Sequence, residues 1–431
     1  MKRGIKGAII SLVACLVMVA ASCGPSAAED EIKIGVIGPM AYPQGKHHWW
    51  GAQLAAEEIN DQGGILVGDE WYQIKLVKVE SNEILSVPDA ASAMDMAITR
   101  DKVDFIVGGF RTEAVFAMQD VAMDYDMIFL GCGASTVELC TRVTDDYDRY
   151  KYWFRVTPTN STALGTIALL LVQMVAEKIR AELGIEVPKV AILAEQAVWI
   201  EALVDAAHDK LPDLAGVEVV GEWRPSPTAS EVTAELSAIE ASGAHIIFTA
   251  IAGPVGLPYA RQWGELEIPA ASVGINVEAQ SEGFWDATGG KGNYELTMNT
   301  YARGVHMTDE TIPFVERFVE LAGELPTYTA DTYSAIQILR AAIERAGTLD
   351  SDAVVAELEK THAIGTAGIL EFTEAHDVTF GPGYVTGLGV QWQDGEMKCV
   401  WPPPGGAWLG VDYGGAVDYI LPPWVVEAWG P

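Results

Sequence analysis

The sequence has few basic residues and few cysteines for its length, and both shortages narrow the classes of protein to which it can belong. Its 431 residues include 27 Lys and Arg against 60 Asp and Glu, a net charge of −33. Nucleic acid and anionic membrane surfaces repel such an acidic chain, so neither is an expected partner of the folded part. Only five cysteines occur, and no two are spaced as Cys-x-x-Cys, so the sequence gives a zinc site no support.

Motifs of the common catalytic machineries are also missing. The chain has no Gly-x-Ser-x-Gly elbow, no phosphate-binding Walker loop and no His-Glu-x-x-His zinc motif. His47 and His48 are adjacent, so on a helix they diverge and chelate a metal poorly. We therefore predict a protein that is not an enzyme and that needs no metal or cofactor, with a hydrolytic enzyme as the less favoured alternative.

The first thirty residues have the pattern of an export signal. A basic start is followed by an apolar run at residues 7–21, which is too short for a stable membrane span. Ala20-Ala21-Ser22-Cys23 is similar to a bacterial lipoprotein cleavage box, which predicts a signal peptide at 1–22, lipidation of Cys23 and a tether at 23–31. Cleavage after Ala28 is the alternative. Either way the mature chain is exported, to the periplasm or the cell surface.

No later apolar run is long enough to cross a bilayer. The best candidate, Ala163–Ala176, has only about fourteen residues and is interrupted by Gln173. We therefore expect membrane contact only through the N-terminal lipid.

Short apolar runs alternate with segments of helical periodicity along most of the chain. Ile32–Ile37, Asp104–Gly108 and Ile128–Leu130 are examples of the predicted buried strands. This alternation predicts an α/β fold with two doubly wound parallel-sheet domains. Ligands of such sheets bind beyond the carboxyl ends of the strands. Five segments lie there: Gly109–Glu113, Gly131–Ser135, Ala194–Trp199, Ala250–Gly256 and Gly274–Glu278.

The stretch from Met127 to Leu139 is the most informative of these. Gly131 and Gly133 allow a tight turn after the strand, and Ser135 follows at the start of a possible helix. Free N–H groups and a short hydroxyl at such a turn can seat a carboxylate. Cys132 and Cys140 lie eight residues apart, so a local disulfide and two buried free thiols both remain open.

The order of these segments resembles the type I periplasmic binding proteins, in the leucine/isoleucine/valine-binding branch of solute receptors for ABC importers. The best marker is the run from Gly51 to Ile65, Gly-Ala-Gln-Leu-Ala-Ala-Glu-Glu-Ile-Asn-Asp-Gln-Gly-Gly-Ile. Ile32–Pro39, Gly133–Leu139 and Asp331–Gly347 add to it, and the resemblance covers roughly residues 32–400.

The resemblance implies two lobes that close over a ligand like a Venus flytrap. Three crossovers are expected near Val156–Thr159, Thr300–Gly304 and Ile364–Leu370. The first lobe would contain residues 32–157 and 301–365, and the second would contain 158–300 and 366–400. The extension 401–431, rich in Trp, Pro and Gly, is expected to wrap over the second lobe, with contact to a partner protein as the alternative.

In the family the first lobe holds the carboxylate of the ligand. The matching positions here are the hydroxyl of Thr112, the backbone of Ala134 and the hydroxyl of Ser135. Arg111 is unusual for the family, and it either pairs with a further acidic group of the ligand or forms an ion pair with Glu113.

The second lobe departs from the family pattern. Trp199 keeps an aromatic wall without a hydroxyl, and Ala252 stands where a tyrosine is usual. Asn276 aligns with the acid that binds the ligand ammonium, and Glu278 follows two residues later. Gln44 lies in the loop that rims the cleft. An amide or an organic acid is expected if Asn276 has replaced the acid, whereas Glu278 as a substitute would keep an amino acid.

These expectations describe a monomeric receptor that captures a small polar ligand, which is amino acid-like, an amide or an organic acid. It would deliver the ligand to the permease subunits of an ABC importer. A sensing receptor of the same fold is the alternative function.

Overall fold

The computed structural model describes residues 31–406 and 408–431. The predicted signal peptide and Cys23 lie outside the described residues, as does all of the predicted tether except residue 31. The strands are β1 (Glu31–Gly38), β2 (Ile65–Val67), β3 (Glu70–Glu80), β4 (Phe105–Gly108), β5 (Phe129–Gly131), β6 (Trp153–Arg155), β7 (Lys189–Ala194), β8 (Glu218–Trp223), β9 (Ile246–Ile251), β10 (Ala271–Asn276), β11 (Leu296–Asn299), β12 (His362–Gly365), β13 (Gly368–Glu371), β14 (Leu388–Gln393) and β15 (Glu396–Trp401).

Helices follow most of these strands, as the alternating pattern predicts. They are α1 (Pro43–Asp61), α2 (Val87–Thr99), α3 (Thr112–Asp124), α4 (Glu138–Asp145), α5 (Tyr147–Tyr150), α6 (Ser161–Leu183), α7 (Glu201–Ala215), α8 (Thr233–Ala241), α9 (Gly256–Glu265), α10 (Gly283–Ala287), α11 (Thr311–Ala322), α12 (Thr332–Ala346), α13 (Ser351–Leu358) and α14 (Pro423–Trp429). Local signals set their ends: at α6, for example, the Asn160 side chain accepts the N–H of Ala163, and Gly184 closes the helix with φ of 70°.

The two main sheets have the same internal order. The first is β2-β3-β1-β4-β5-β6 and the second is β15-β14-β11-β10-β9-β7-β8. Each sheet contains five parallel strands. Counted by their order in the chain, these strands lie side by side across the sheet in the order second, first, third, fourth, fifth. The strand order reverses between β1 and β4 in the first sheet and between β7 and β9 in the second. Ligand sites are expected at these two reversals. The predicted doubly wound, two-lobed architecture is confirmed.

Two passages between the sheets lie at or close to the predicted places. The chain leaves the first sheet after β6 and begins α6 on the second lobe at Ser161, and it leaves the second sheet after β11. The third passage lies later than the predicted 364–370. His376 stacks on Phe154 with ring centroids 4.0 Å apart, and Asp377 pairs with Arg155, so this segment is held by β6 of the first sheet. The chain joins the second sheet only at β14.

Helix α6 is, within the described part of the chain, the one helix long and apolar enough to cross a membrane by length and composition. It packs against α7 and β10 of the second lobe, and 56% of its most apolar window is buried. The core helix of a globular domain has these same properties.

The tail after β15 lies on the second lobe. The indole N–H of Trp424 donates to the Ile268 carbonyl at 2.9 Å, and that of Trp429 donates to the Pro269 carbonyl at 2.5 Å. The Trp424 ring also packs edge-on against Trp263, with centroids 5.2 Å apart. These contacts fix the end of the chain beside the start of β10.

Cys132 and Cys140 are buried free thiols in the structure, and no disulfide joins them. The Cys140 sulfur accepts the indole N–H of Trp153 at 3.4 Å, and the Cys132 thiol faces the Leu130 carbonyl at 3.5 Å. Burial raises the pKa of Cys140 to about 12, so the thiol stays protonated and unreactive.

Candidate ligand-binding site

A cavity lies between the two lobes, where the carboxyl ends of both sheets face each other. Five of the predicted site residues line it: Arg111, Thr112, Ser135, Trp199 and Ala252. Most of the cavity surface is apolar, and Ile84, Phe110, Ile275, Val277 and Met298 contribute to it. Such a cavity suits a small ligand with an apolar body and a few polar groups.

The loop after β5 forms one part of the first-lobe wall, and Arg155 holds it from behind. This buried guanidinium donates to the carbonyls of Ala134 at 3.1 Å and Thr136 at 2.7 Å. The carbonyl of Ser135 accepts the N–H of Ser161 at 2.6 Å. All three carbonyls already accept hydrogen bonds. The polar groups of the loop that remain to bind a ligand in the cavity are therefore its N–H groups and the Ser135 hydroxyl. Ala134 itself does not line the cavity.

Arg155 is in turn held by Asp377. The guanidinium and the carboxylate form two parallel hydrogen bonds of 2.7 and 2.9 Å, and the arginine is fully buried. Asn160, the N-cap of α6, also donates to Asp377 at 2.9 Å. One buried ion pair therefore joins the wall of the cavity to the start of the second lobe.

Close backbone approach explains the glycine at position 133. A Cβ there would lie 2.2 Å from the Gly109 carbonyl oxygen and 2.6 Å from the Phe110 Cα. The loops after β4 and β5 therefore touch, as only glycine permits at this position. This contact brings Thr112 and Ser135 to the same wall.

The N-terminus of α3 forms the second part of this wall. Arg111 occupies the N-cap position without a capping side-chain hydrogen bond, and Thr112 is the first helical residue, not the cap. Glu83 braces the turn from below, since its carboxyl accepts the N–H of Phe110 at 2.9 Å and of Arg111 at 2.7 Å. Burial raises the pKa of Glu83 to about 7, an effect that these N–H donors only partly offset. No motif in the sequence singled out Glu83.

Arg111 pairs with its neighbour, one of the two alternatives considered for it. Its Nε lies 3.1 Å from Glu113 Oε2, and its Nη1 donates to the Ile84 carbonyl at 2.8 Å. The other Glu113 oxygen accepts the N–H of Val198 from the second lobe at 3.2 Å. The pair thus neutralises itself and joins the two lobes at the cavity.

Asn276 faces away from the cavity. Its neighbours Ile275 and Val277 line the cavity, and alternate residues along an extended chain point to opposite faces. The Asn276 amide donates to the Gly256 carbonyl at 3.2 Å and to the buried carboxyl of Glu295 at 3.1 Å, under α9. In this position it supports the helix layer of the second lobe.

Gln44 and Glu278 bind each other instead of lining the cavity. The Gln44 amide, from the first lobe, donates to Glu278 Oε1 in the second lobe at 3.2 Å, and both residues are buried. Burial raises the pKa of Glu278 to about 7. The two residues form a contact between the lobes beside the cavity.

Glu195 is the acidic residue of the second-lobe wall that the sequence analysis did not single out. It directly follows β7, lines the cavity and is only 2% exposed. Its Oε2 accepts the N–H of Gly253 at 2.7 Å. Burial raises the pKa of Glu195 to about 7, and the backbone N–H groups of Gly253 and Ala252 offset part of this effect. The signal in the sequence is an acid placed directly after a buried strand.

The described residues contain no group of three or more His, Cys, Asp or Glu side chains placed to hold a metal ion. His47 and His48 are both buried but have separate partners, the Glu324 carboxyl at 3.3 Å and the Thr329 carbonyl at 2.8 Å.

A family model described as periplasmic binding protein matches residues 31–391. The chain belongs to the periplasmic binding protein family. A curated relative from Pseudomonas aeruginosa, named amino acid binding protein, is 25% identical over 78% of this chain and 84% of its own length. Leu/Ile/Val-binding protein homolog 3 of Brucella melitensis is 24% identical over 86% of this chain and 94% of its own length.

Solved structures of other periplasmic binding proteins share the fold. A branched-chain amino acid transporter substrate-binding protein from Streptococcus pneumoniae, in complex with isoleucine, has a TM-score of 0.70 and 18% identity, covering 85% of this chain and 98% of its own. A solute-binding protein from R. palustris, in complex with benzoate, has a TM-score of 0.67 and 18% identity, covering 86% and 95%. This chain thus has the fold and family of an exported solute receptor, as its sequence predicts.

Proposed function

We propose that this periplasmic binding protein captures a small carboxylate-bearing ligand with an apolar body in the cavity between its lobes and delivers it to an ABC importer. The observation that carries the proposal is the first-lobe wall. There the N-terminus of α3, Thr112 and the loop of Ser135 present N–H groups and hydroxyls to one cavity. A carboxylate is stabilised by such donors and by the positive end of a helix.

The remaining lining supports an apolar ligand body. Phe110, Ile275, Val277 and Met298 lie on the cavity wall together with Trp199. Relatives named for Leu, Ile and Val, and fold neighbours bound to isoleucine or benzoate, have ligands that combine a carboxylate with an apolar group.

A thermal-shift screen of the purified exported chain tests this function. The panel contains branched-chain amino acids, amides, aromatic acids, dicarboxylates and polyamines. A ligand at about 100 times its dissociation constant adds about 2.7 kcal/mol to the free energy of unfolding, which raises the melting temperature measurably. We expect a shift with carboxylates that have an apolar group and none with polyamines. The absence of any shift, or turnover of a panel compound, would contradict the proposal.

The lobes would move as units about the three passages between them. We propose residues 32–157 and 301–365, with the β6-bound segment near His376, as the first lobe, and 158–300 with β14 and β15 as the second. Hydrogen bonds such as Val198 N–H to Glu113 support a closed arrangement that an importer could recognise.

Anchoring through lipid on Cys23 and a monomeric state are further parts of the proposal, and they rest on the sequence. Mass spectrometry of the mature N-terminus tests the anchor. A diacylated Cys23 is expected, whereas an unmodified N-terminus at Glu29 would mean cleavage after Ala28. Light scattering of the purified chain tests the monomer.

A further inference from the structure

Gln44 and Glu278 meet where the two lobes touch beside the cavity, and the hydrogen bonding between them is incomplete. The Gln44 amide nitrogen donates to Glu278 Oε1 at 3.2 Å. The amide oxygen of Gln44 is buried and has no hydrogen-bond partner among the described residues. In that part of the chain, Gln44 is also the one hydrogen-bond partner of the Glu278 carboxyl. A buried acceptor without a donor is costly, so this pair of side chains lacks one donor.

A proton on Glu278 would supply the missing donor. A carboxylic acid and a primary amide each present a donor and an acceptor, and the two groups can form a ring of two hydrogen bonds. An ionised carboxylate only accepts, so it leaves the Gln44 amide oxygen without a partner. Turning the amide over does not change this requirement. Two acceptor oxygens would then face each other, and they would again need a proton between them.

The other hydrogen bonds between the lobes are complete without an added proton. The Ser281 hydroxyl of the second lobe donates to Glu324 of the first at 3.2 Å. The Leu325 N–H of the first lobe donates to Glu282 of the second at 3.0 Å. In each of these contacts a donor already meets a carboxylate oxygen. The contact between Gln44 and Glu278 therefore differs from them in its need for a proton.

The charged and titratable groups around this contact do not neutralise Glu278. The short 3-10 turn Glu278–Gln280 packs against α9, α10 and β11, and Gln44 lies in the first turn of α1. Some titratable groups on the surrounding segments have other partners, namely His47, His48, Tyr259, Glu282, Glu295 and Glu324. Others are exposed, namely Lys46, Arg261, Glu265 and Asp286. Burial raises the pKa of Glu278 to about 7, and the Gln44 hydrogen bond offsets part of this effect.

We propose that closure of the lobes takes up one proton at this contact, which Glu278 and Gln44 share, so that acidic surroundings favour ligand capture. This inference rests on the proposed closure over a ligand and adds a proton as a second condition for it. When the lobes separate, Gln44 leaves and the Glu278 carboxyl meets water, where it is ionised at neutral pH. As the lobes close, the carboxylate takes a proton from the solvent, and the new O–H donates to the Gln44 amide oxygen.

The direction and the size of the effect follow from the linkage between closure and proton binding. The pKa of the Glu278 carboxyl is about 7 in the closed lobes, against a usual value of 4.5. Its contribution to closure is therefore fully present below about pH 4.5 and is lost as the pH rises through 7. At pH 6, closure takes up close to one proton. This contact alone makes ligand affinity about tenfold higher at pH 6 than at pH 8.

Isothermal titration calorimetry and small-angle X-ray scattering of the purified exported chain test the inference. The proteins are wild type, Glu278→Gln, the exchanged pair Gln44→Glu with Glu278→Gln, and Glu218→Gln. Glu278→Gln supplies a permanent donor for the Gln44 amide oxygen and cannot titrate, whereas the exchanged pair moves the acid to the first lobe. Glu218 is exposed on β8 of the second lobe, so its variant controls for the loss of one charge. The probes are leucine, isoleucine, valine and benzoate, each at pH 6 and pH 8 in two buffers of different ionisation enthalpy.

For a probe that binds, wild type should take up close to one proton more per ligand at pH 6 than Glu278→Gln does. Between pH 6 and pH 8, wild type should also lose about tenfold more affinity than this variant. Glu195 titrates in the same range, but its contribution is common to both proteins. The exchanged pair should regain the proton uptake, and Glu218→Gln should behave as wild type. In scattering from the ligand-free proteins, acidification from pH 8 to pH 6 should reduce the radius of gyration of wild type more than that of Glu278→Gln.

Two results in the titrations would overturn the inference and leave the proposed capture of a carboxylate intact. One is equal proton uptake and equal pH dependence of affinity in wild type and Glu278→Gln. The other is an exchanged pair that is folded, by circular dichroism, but takes up no more protons than Glu278→Gln. If no probe binds at either pH, the proposed ligand class fails, and scattering alone decides the inference. Equal changes of radius in wild type and Glu278→Gln would then overturn it.

Discussion

The two walls of the cavity differ in whether their charged side chains are paired with each other. On the first-lobe wall, Arg111 and Glu113 are paired, and hydroxyls and N–H groups complete the surface. On the second-lobe wall, Glu195 has backbone donors but no cationic partner among the described residues. We therefore propose that the first wall receives an anionic group of the ligand and that the second receives a cationic or neutral donor.

The supporting structure behind the walls differs as well. The loop of Ser135 is tied to Arg155, and through it to Asp377, by charged hydrogen bonds. The loop of Gly253 is held by Glu195, which is itself part of the cavity wall. A change behind the first wall should therefore affect folding, whereas a change in the second should affect ligand choice. Six variants test this difference.

The largest effect is expected behind the first wall. Arg155→Met removes one partner of a buried ion pair and leaves Asp377 without its guanidinium, which should lower the free energy of unfolding by about 3–5 kcal/mol. Denaturant unfolding measures the change. Arg149→Met removes an exposed pair with Asp124 and should cost less than about 1 kcal/mol. Equal costs for the two variants would mean that the buried pair does not hold the loop.

On the wall itself, loss of a hydroxyl should weaken ligand binding without unfolding the lobe. Thr112→Val and Ser135→Ala should each reduce affinity for a carboxylate ligand by about 10- to 100-fold, since each removes a hydrogen bond to a charged group. Calorimetric titration gives the affinities, and Thr166→Val on an exposed face of α6 is the control. Unchanged affinity in both wall variants would move the carboxylate away from the first lobe.

Glu195 and Glu83 should contribute the same pH dependence of stability, and their glutamine variants should differ in the size of the stability itself. The folded-state pKa of each is about 7, above the usual value of 4.5, so each contributes stability that is present below about pH 4.5 and lost as pH rises through 7. Relative to wild type, Glu195→Gln should gain about 1–3 kcal/mol between pH 4.5 and pH 8.

Glu83→Gln should lose the same pH dependence as Glu195→Gln but be less stable than that variant at every pH. The two Glu83 oxygens together accept the N–H of Phe110, the N–H of Arg111 and the Ser81 hydroxyl. In the glutamine variant an amide nitrogen replaces one of these oxygens. We expect it to be less stable than Glu195→Gln by about 1–3 kcal/mol at each pH. Urea unfolding at pH 4.5, 6 and 8 measures both variants. Coincident curves for the two variants would show that the walls are braced alike.

The smallest effect is expected at the contact between the lobes. Gln44→Ala removes the amide that donates to Glu278. Loss of this hydrogen bond should disfavour closure by about 1 kcal/mol and so weaken ligand affinity by about fivefold. The matched control is Gln196→Ala, whose amide donates only to the Arg224 carbonyl within the second lobe. Ligand affinity in the Gln44 variant equal to that in the control would mean that the contact has no part in closure.

The sequence allowed the fold to be predicted, because it depends on local pattern, and the family resemblance pointed to two residues that line the first wall. Apolar runs ending in glycine gave the strands, and Thr112 and Ser135 followed two of them closely. Whether a residue belongs to the second wall depends on which face of the sheet its side chain points to at the end of the strand. Asn276 lies between Ile275 and Val277, and a difference of one position decides between cavity and helix layer.

Long-range pairing was the other limit. Gln44 and Glu278 are 234 residues apart in the chain, and so no local pattern relates them. Glu195 lay in a segment predicted to reach the cavity, but among so many acids its position after β7 did not distinguish it before burial was known.

The described part of the chain begins in one lobe and ends in the other. Glu31 opens β1 of the first sheet, whereas Trp424 and Trp429 fasten the tail to the second lobe. The proposed closure over a ligand would therefore change the distance between the two ends. Fluorophores attached near residues 31 and 431 would convert ligand capture into a change in energy transfer, without a label near the cavity.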